Sequence, residues 1–225
     1  MLVLLAIIVA SLGIAFALQP KSVATGNAAS PSHPNLIPSL LESLAFDWGI
    51  FFYAWVGVSQ KGGNLSTLTG GRWSNARDVV RDFAWAAPFW VTWETVAHSF
   101  AWLLGPSHAK APDVWITPTG LLEVSLWIAL SCSAGFCEEV VFRGYFQRQF
   151  SALTGSVWAG VLSQAILFGM IHPFKGWKYV LLVSILGVLY GGLAVLRKDL
   201  KPGMLAHGFS DVWEGWLKHV LKFPY

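Results

Sequence analysis

Three short stretches of this chain carry residues able to do chemistry, each within otherwise apolar sequence. The first, CEEVVFRGYFQRQF (Cys137 to Phe150), sets Glu138 beside Glu139 and places Arg143 four residues after Glu139. On a helix, neighbours point about 100° apart. Glu139 and Arg143 share a face, in the favourable acid-before-base order, and neutralise each other. Glu138 is left without a partner in the local sequence, which suits a general base. The second stretch, FGMIHPF, puts Phe168 and His172 four apart on one face, with Pro173 set to end the helix. The third, LAHGFSDVWEGW, does the same with His207 and Asp211, while Glu214 extends the polar face. An Asp can fix an imidazole tautomer, or both groups can approach one metal ion or one water. Gly208 beside the histidine allows another backbone or a substrate to come close.

Each stretch also has a plainer reading: a solvated salt bridge at a helix end, an interfacial histidine, a polar stripe in a helix contact. Together they supply a carboxylate, an imidazole and an imidazole–carboxylate pair on three separate apolar helices. In a membrane bundle such groups turn inward and meet. That is the equipment for activating a water inside a bilayer.

The elements that must position them are membrane helices. Of 225 residues, 55% are hydrophobic and 12% charged, against about 25% charged in a soluble domain. Mean hydropathy is +0.55, and the 13 tryptophans suit interfacial belts. The expected fold is all-α, a polytopic transmembrane bundle of about six to seven spans with a catalytic cavity between helices. A net charge of +3 gives no case for nucleic acid. Residues 1–35 read as a hydrophobic anchor or signal peptide followed by a linker, and 36–225 as the bundle. Hydropathy places spans at about 36–58, 83–104, 121–142, 157–171, 179–196 and 204–221. SNARDVVRDF, with Ser74 as its cap, reads as a separate interfacial helix. Cys132 and Cys137 are five apart, on different faces of one helix, so they do not pair, and both read as buried packing. One set of basic residues (Lys61, Arg72, Arg77, Arg81, Arg148, Arg197, Lys198, Lys201) outnumbers the other (Lys21, Lys110, Lys175, Lys178, Lys222). The larger set is expected on the cytoplasmic side of a multi-pass cell-membrane protein.

In order and spacing, Glu138-Glu139-x-x-x-Arg143, Phe168-x-x-x-His172 and His207-x-x-x-Asp211 resemble the signature of the CPBP intramembrane proteases. These are the CAAX-protease and bacteriocin-processing (Abi) family, which includes the CAAX prenyl proteases. The resemblance covers about 121–217. It implies an intramembrane endopeptidase acting on a peptide or membrane-protein substrate in the lipid bilayer. Carried over by residue, Glu138 is the general base and His172 helps hold the water. His207 and Asp211 stabilise the oxyanion, while Glu139 and Arg143 order the site, with Phe168 beside them. The family has been described both as glutamate proteases without a cofactor and as metal-dependent. Glu138, His172 and His207 are the three candidate zinc ligands, although no compact zinc motif is present. The alternative function is a non-catalytic scaffold or a bacteriocin self-immunity protein.

Two features strain the resemblance. The prenyl proteases often have Asn where this chain has Asp211, and an ionised Asp repels an oxyanion that an amide would hold. Depth is the other. If one span ends near Phe142 and the next ends near His172, Glu138 and His172 lie near opposite faces of a bilayer about 30 Å thick.

Overall fold

The computed structural model describes residues 1, 3–6, 8, 10, 35–105, 117–172 and 176–223. Among these residues all regular structure is helical. The helices are α1 (Ile37–Ser59), the short α2 (Leu65–Thr69), α3 (Ala76–Leu104), α4 (Gly120–Glu138), α5 (Gln147–Thr154), α6 (Val157–Met170), α7 (Trp177–Arg197), α8 (Lys201–Val212) and α9 (Lys218–Val220). Two wide π segments interrupt the α geometry, at Glu139–Phe146 and Trp213–Leu217. Of the opening stretch, Leu4 and Ile8 are buried in the core. The linker expected from Gln19 to Pro34, the basic residues Lys21, Lys110 and Lys175, and the helix end expected at Pro173 lie outside the described residues.

Two helical runs are long and apolar enough to cross a membrane: Gly120–Thr154 taken whole, and Trp177–Arg197. The first resolves the problem of depth. It does not stop near Phe142 but continues for 35 residues to Thr154, and Gly155 reverses the chain in a left-handed conformation (φ 68°). Glu138 precedes this turn by as many helical turns as His172 follows it. At about 1.5 Å per residue, both lie about 22–24 Å from it, on one level. The helix runs on through GYFQRQF, past the expected span limit at Phe142, and carries the Arg of VVFRGYF inside it. That Arg is buried and paired, so it marks the interior of the bundle and not its surface.

A second correction concerns residues 74–104. They do not form an interfacial helix followed by a span. They form the single helix α3, capped by Asn75, whose side chain accepts from the backbone N–H of Asp78. Ser74 instead donates from its hydroxyl and backbone N–H to the Asp78 carboxylate. Pro88 lies inside α3 without ending it. Cys132 is exposed and Cys137 buried, both as free thiols, so buried packing holds for the second only.

The larger basic set gathers at one end. Arg148 donates to the Thr67 and Leu68 carbonyls, Lys201 to the Gly71 carbonyl, and Arg197 approaches Asp82. Lys178 donates to the Leu104 carbonyl, joining the start of α7 to the far end of α3. α6 and α7 lie against each other, held by the buried Gln164 amide, which donates to the Gly187 and Val161 carbonyls.

Candidate active site

The first π segment is the centre of the bundle. Of its eight residues, Glu139 to Gly144 and Phe146 are buried, which requires neighbours on every side. Such widened turns occur often at functional sites. Here one starts directly after Glu138, and the other starts two residues after Asp211.

α4 and α8 cross where both have glycine. A Cβ on Gly135 would lie 2.7 Å from the Gly208 nitrogen and 2.7 Å from the Met204 carbonyl oxygen. A Cβ on Gly208 would meet the Ser131 carbonyl oxygen at 3.1 Å. Backbones this close deliver His207 to the carboxylates one turn along α4, the close approach that Gly208 permits.

His207 is the hub. It is 5% exposed, with Nδ1 3.1 Å from Glu139 Oε1. Its Nε2 faces Glu138 Oε2 at 3.7 Å and Asp211 Oδ2 at 3.8 Å. A proton on Nδ1 donates to Glu139, so Nε2 is the atom presented to the two remaining carboxylates. Arg143 Nη1 lies 2.8 Å from Glu139 Oε1, and both side chains are fully buried. The guanidinium sits 4.3 Å from the centre of the Phe168 ring and 5.1 Å from that of Tyr190. Glu139 thus binds an arginine on one side and the imidazole on the other. Both contacts are made by the same oxygen, Oε1.

Phe168 links the second stretch to this hub. Its ring centre is 5.4 Å from that of His172 and 6.0 Å from that of His207. His172 Nδ1 is 2.9 Å from the Phe168 carbonyl oxygen, which orients the ring. All three stretches therefore converge. Glu214 does not join them, since it pairs with Lys218 at 3.3 Å. Asp211, with 37% of its side chain exposed, is the open edge of the site.

Two residues at this site were not singled out from sequence. Tyr190 stacks on His207 with ring centres 5.3 Å apart. Asp47 is buried on α1 within electrostatic reach of His207 and Asp211. Tyr190 is one of five tyrosines, with nothing in its neighbourhood to mark it, whereas a carboxylate in an apolar span is a signal in itself.

Among the described residues, no three His, Cys, Asp or Glu side chains are grouped to hold a metal ion. Glu139 takes one nitrogen of His207, and Phe168 stands between the two histidines.

A family model described as "Type II CAAX prenyl endopeptidase Rce1-like" matches residues 120–213. No curated protein and no solved structure matches the chain. The match begins with α4 and ends as the second π segment begins, so it spans Glu138, Glu139, Arg143, Phe168, His172, His207 and Asp211, while Asp47 lies outside it. Over residues 120–213 the chain is therefore similar to that family.

Proposed function

We propose that this protein is an intramembrane endopeptidase that hydrolyses a peptide bond with a water activated by Glu138, without a metal ion. The observation that carries the reading is the division of labour between adjacent carboxylates. Glu139 is engaged by Arg143 at 2.8 Å and His207 at 3.1 Å. The nearest partner of Glu138, His207 Nε2, stands off at 3.7 Å, leaving its carboxylate free to take a proton.

In this reading Glu138 takes a proton as the water oxygen attacks the carbonyl carbon. The C–O bond forms and the carbonyl oxygen becomes an oxyanion. A protonated His207 Nε2 donates towards it, and Glu139 holds the imidazole from the other side. The C–N bond then breaks, Glu138 returns its proton to the leaving amine, and the other product is a carboxylic acid. Microscopic balance is kept, and Glu138 ends as it began. His172, oriented by the Phe168 carbonyl, holds the water.

The protein is multi-pass in this reading, with α1 and α3 crossing beside α4 and α7. The exposed Phe46, Phe52 and Trp55 of α1 and Phe83, Trp85 and Trp102 of α3 support it, since exposed apolar surface of this extent marks contact with lipid or a partner. The gathering of Arg148, Arg197 and Lys201 at one end supports a cytoplasmic position for that end.

The test is hydrolysis by protein purified in detergent micelles, with Glu138→Gln beside the native chain. Glu138→Gln is expected to lose activity by about 10²–10⁴-fold, the range of a general base, with unchanged folding and no bound zinc in either sample. Full activity in the variant would sink the assignment. Stoichiometric zinc in an active sample, lost together with activity on chelation, would sink the metal-free chemistry.

A further inference from the structure

A contact at one nitrogen does not fix the plane of an imidazole. The Cβ–Cγ torsion of histidine is broad. With Nδ1 of His207 at 3.1 Å from Glu139 Oε1, the ring can still tilt about that contact. Such a tilt moves Nε2 relative to Glu138 and Asp211, which stand at 3.7 and 3.8 Å. Two aromatic rings restrict it. Tyr190 lies along the imidazole, with ring centres 5.3 Å apart and planes 29° apart. Phe168 meets it at 89°, with ring centres 6.0 Å apart. A near-parallel ring on one side and a perpendicular ring on another are both favoured aromatic geometries, and together they define one plane.

Tyr190 is itself firmly mounted. It is 1% exposed, and its ring packs on Phe89 of α3 with centres 4.7 Å apart. Glycines on either side of it press α7 onto its neighbours. A Cβ on Gly187 would lie 2.8 Å from Ala165 Cα, and one on Gly191 would lie 2.9 Å from Gln147 Oε1. Residue 203 of α8 is glycine as well, and a Cβ there would stand 3.4 Å from Tyr190 Cδ1 and 3.2 Å from Glu139 Oε2. The ring and the Glu139 carboxylate therefore meet α8 at one point. The Tyr190 hydroxyl lies towards Ser210 but makes no hydrogen bond among the described residues. Ser210 donates instead to the Ala206 carbonyl at 2.9 Å.

We propose that Tyr190 is a positioning residue: its ring, and not its hydroxyl, sets the plane of His207 and so aims Nε2. Glu139 fixes where the imidazole is held, and Tyr190 fixes how it is turned. The consequence for rate rests on the peptidase reading, whereas the hold on the imidazole does not.

The experiment uses the full chain in detergent micelles, with Tyr190→Leu and Tyr190→Phe beside the native protein. Two quantities are read: kcat and KM per folded molecule on a short hydrophobic peptide, and the NMR signals of the ¹³C-labelled His207 ring, assigned by their loss in His207→Gln. Tyr190→Leu is expected to lower kcat by about 10²-fold, the scale of a small misplacement at a reacting centre, with KM little changed, because the interaction lost belongs to the transition state. The His207 ring signals are expected to lose the displacement that a neighbouring aromatic ring imposes. Tyr190→Phe, which keeps the ring, is expected to recover most of the rate and the native signals. A merely structural Tyr190 would lower the thermal midpoint of the Leu variant and leave both the rate per folded molecule and the His207 signals in place, which overturns the proposal. A Phe variant as slow as the Leu variant overturns it too, since the hydroxyl would then do the work. Should Tyr190→Leu not fold, the native chain decides alone. An Overhauser contact between the His207 and Tyr190 ring protons supports the proposal, and its absence sinks it. A native chain that hydrolyses no peptide defeats the peptidase reading, while the ring signals and the Overhauser contact still judge the hold on His207.

Discussion

Two of the groups of buried charge among the described residues are built differently. At the basic end, Asp82 is completely buried yet fully engaged. Its Oδ2 accepts from Trp73 Nε1 at 2.7 Å, and its Oδ1 faces Arg81 Nε at 3.4 Å and Arg197 Nη2 at 3.9 Å. One carboxylate there has two cations. Around His207, among the described residues, Glu138, Glu139 and Asp211 all lie within 4 Å of one imidazole. The first arrangement is what a structural charge requires. In the second, Glu139 is held by Arg143 at 2.8 Å and Glu138 is not, and the proposed function gives the first the organising part and the second the reaction.

Breaking the engaged pair at the site gives the largest stability change. Arg143→Leu leaves Glu139 buried without its cation and is expected to cost about 3–5 kcal/mol, read as a fall in thermal midpoint in detergent micelles. Activity falls with it, because Glu139 no longer fixes the His207 ring. Glu138→Gln is the contrast within the same turn of helix, as it removes the reaction and leaves the midpoint in place. An unchanged midpoint for Arg143→Leu would erase the distinction between the two carboxylates.

Asp82→Asn tests the other group and is expected to have a smaller effect. The Asn carbonyl still accepts from Trp73, while the charge-assisted contacts to Arg81 and Arg197 weaken. Arg81 is half exposed and recovers solvation. The expected loss is about 2 kcal/mol, in the range of a hydrogen bond to a charged group, with the rate per folded molecule unchanged. A large loss of rate at unchanged stability would mean that the satisfied cluster also serves the chemistry.

The sequence makes the helices legible because hydropathy is a local signal. α1, α6 and α7 begin and end within about two residues of their expected bounds. It makes the three stretches legible because i, i+4 spacing is local too. It misleads where a local signal has a distant cause. Arg143 looks like a helix end, but it is enclosed by Glu139, Phe168 and Tyr190, and residues 168 and 190 are far along the chain. The π segments leave no trace in residue type. Asp47 has no basic residue on its own helix to mark it, and the groups of the site lie 90 or more residues away. Its place appears only once α1 is seen lying against α4.

The smallest expected effect belongs to Asp211→Asn, and it divides the remaining alternatives. Asp211 is the most open of the carboxylates and lies 3.8 Å from His207 Nε2. In metal-free hydrolysis an ionised Asp at this edge disfavours the developing oxyanion, whereas an amide donates to it without needing a proton. Asp211→Asn is therefore expected to hold or modestly raise the rate on a neutral peptide, within a few-fold. Were His207 a zinc ligand, the same change would remove its supporting carboxylate and cost about 10–100-fold in metal affinity or activity. The check is the rate of both proteins on a neutral peptide, with bound zinc measured on the same preparation. A large drop in rate for Asp211→Asn, with stoichiometric zinc in the native sample, would turn the chemistry towards a metal.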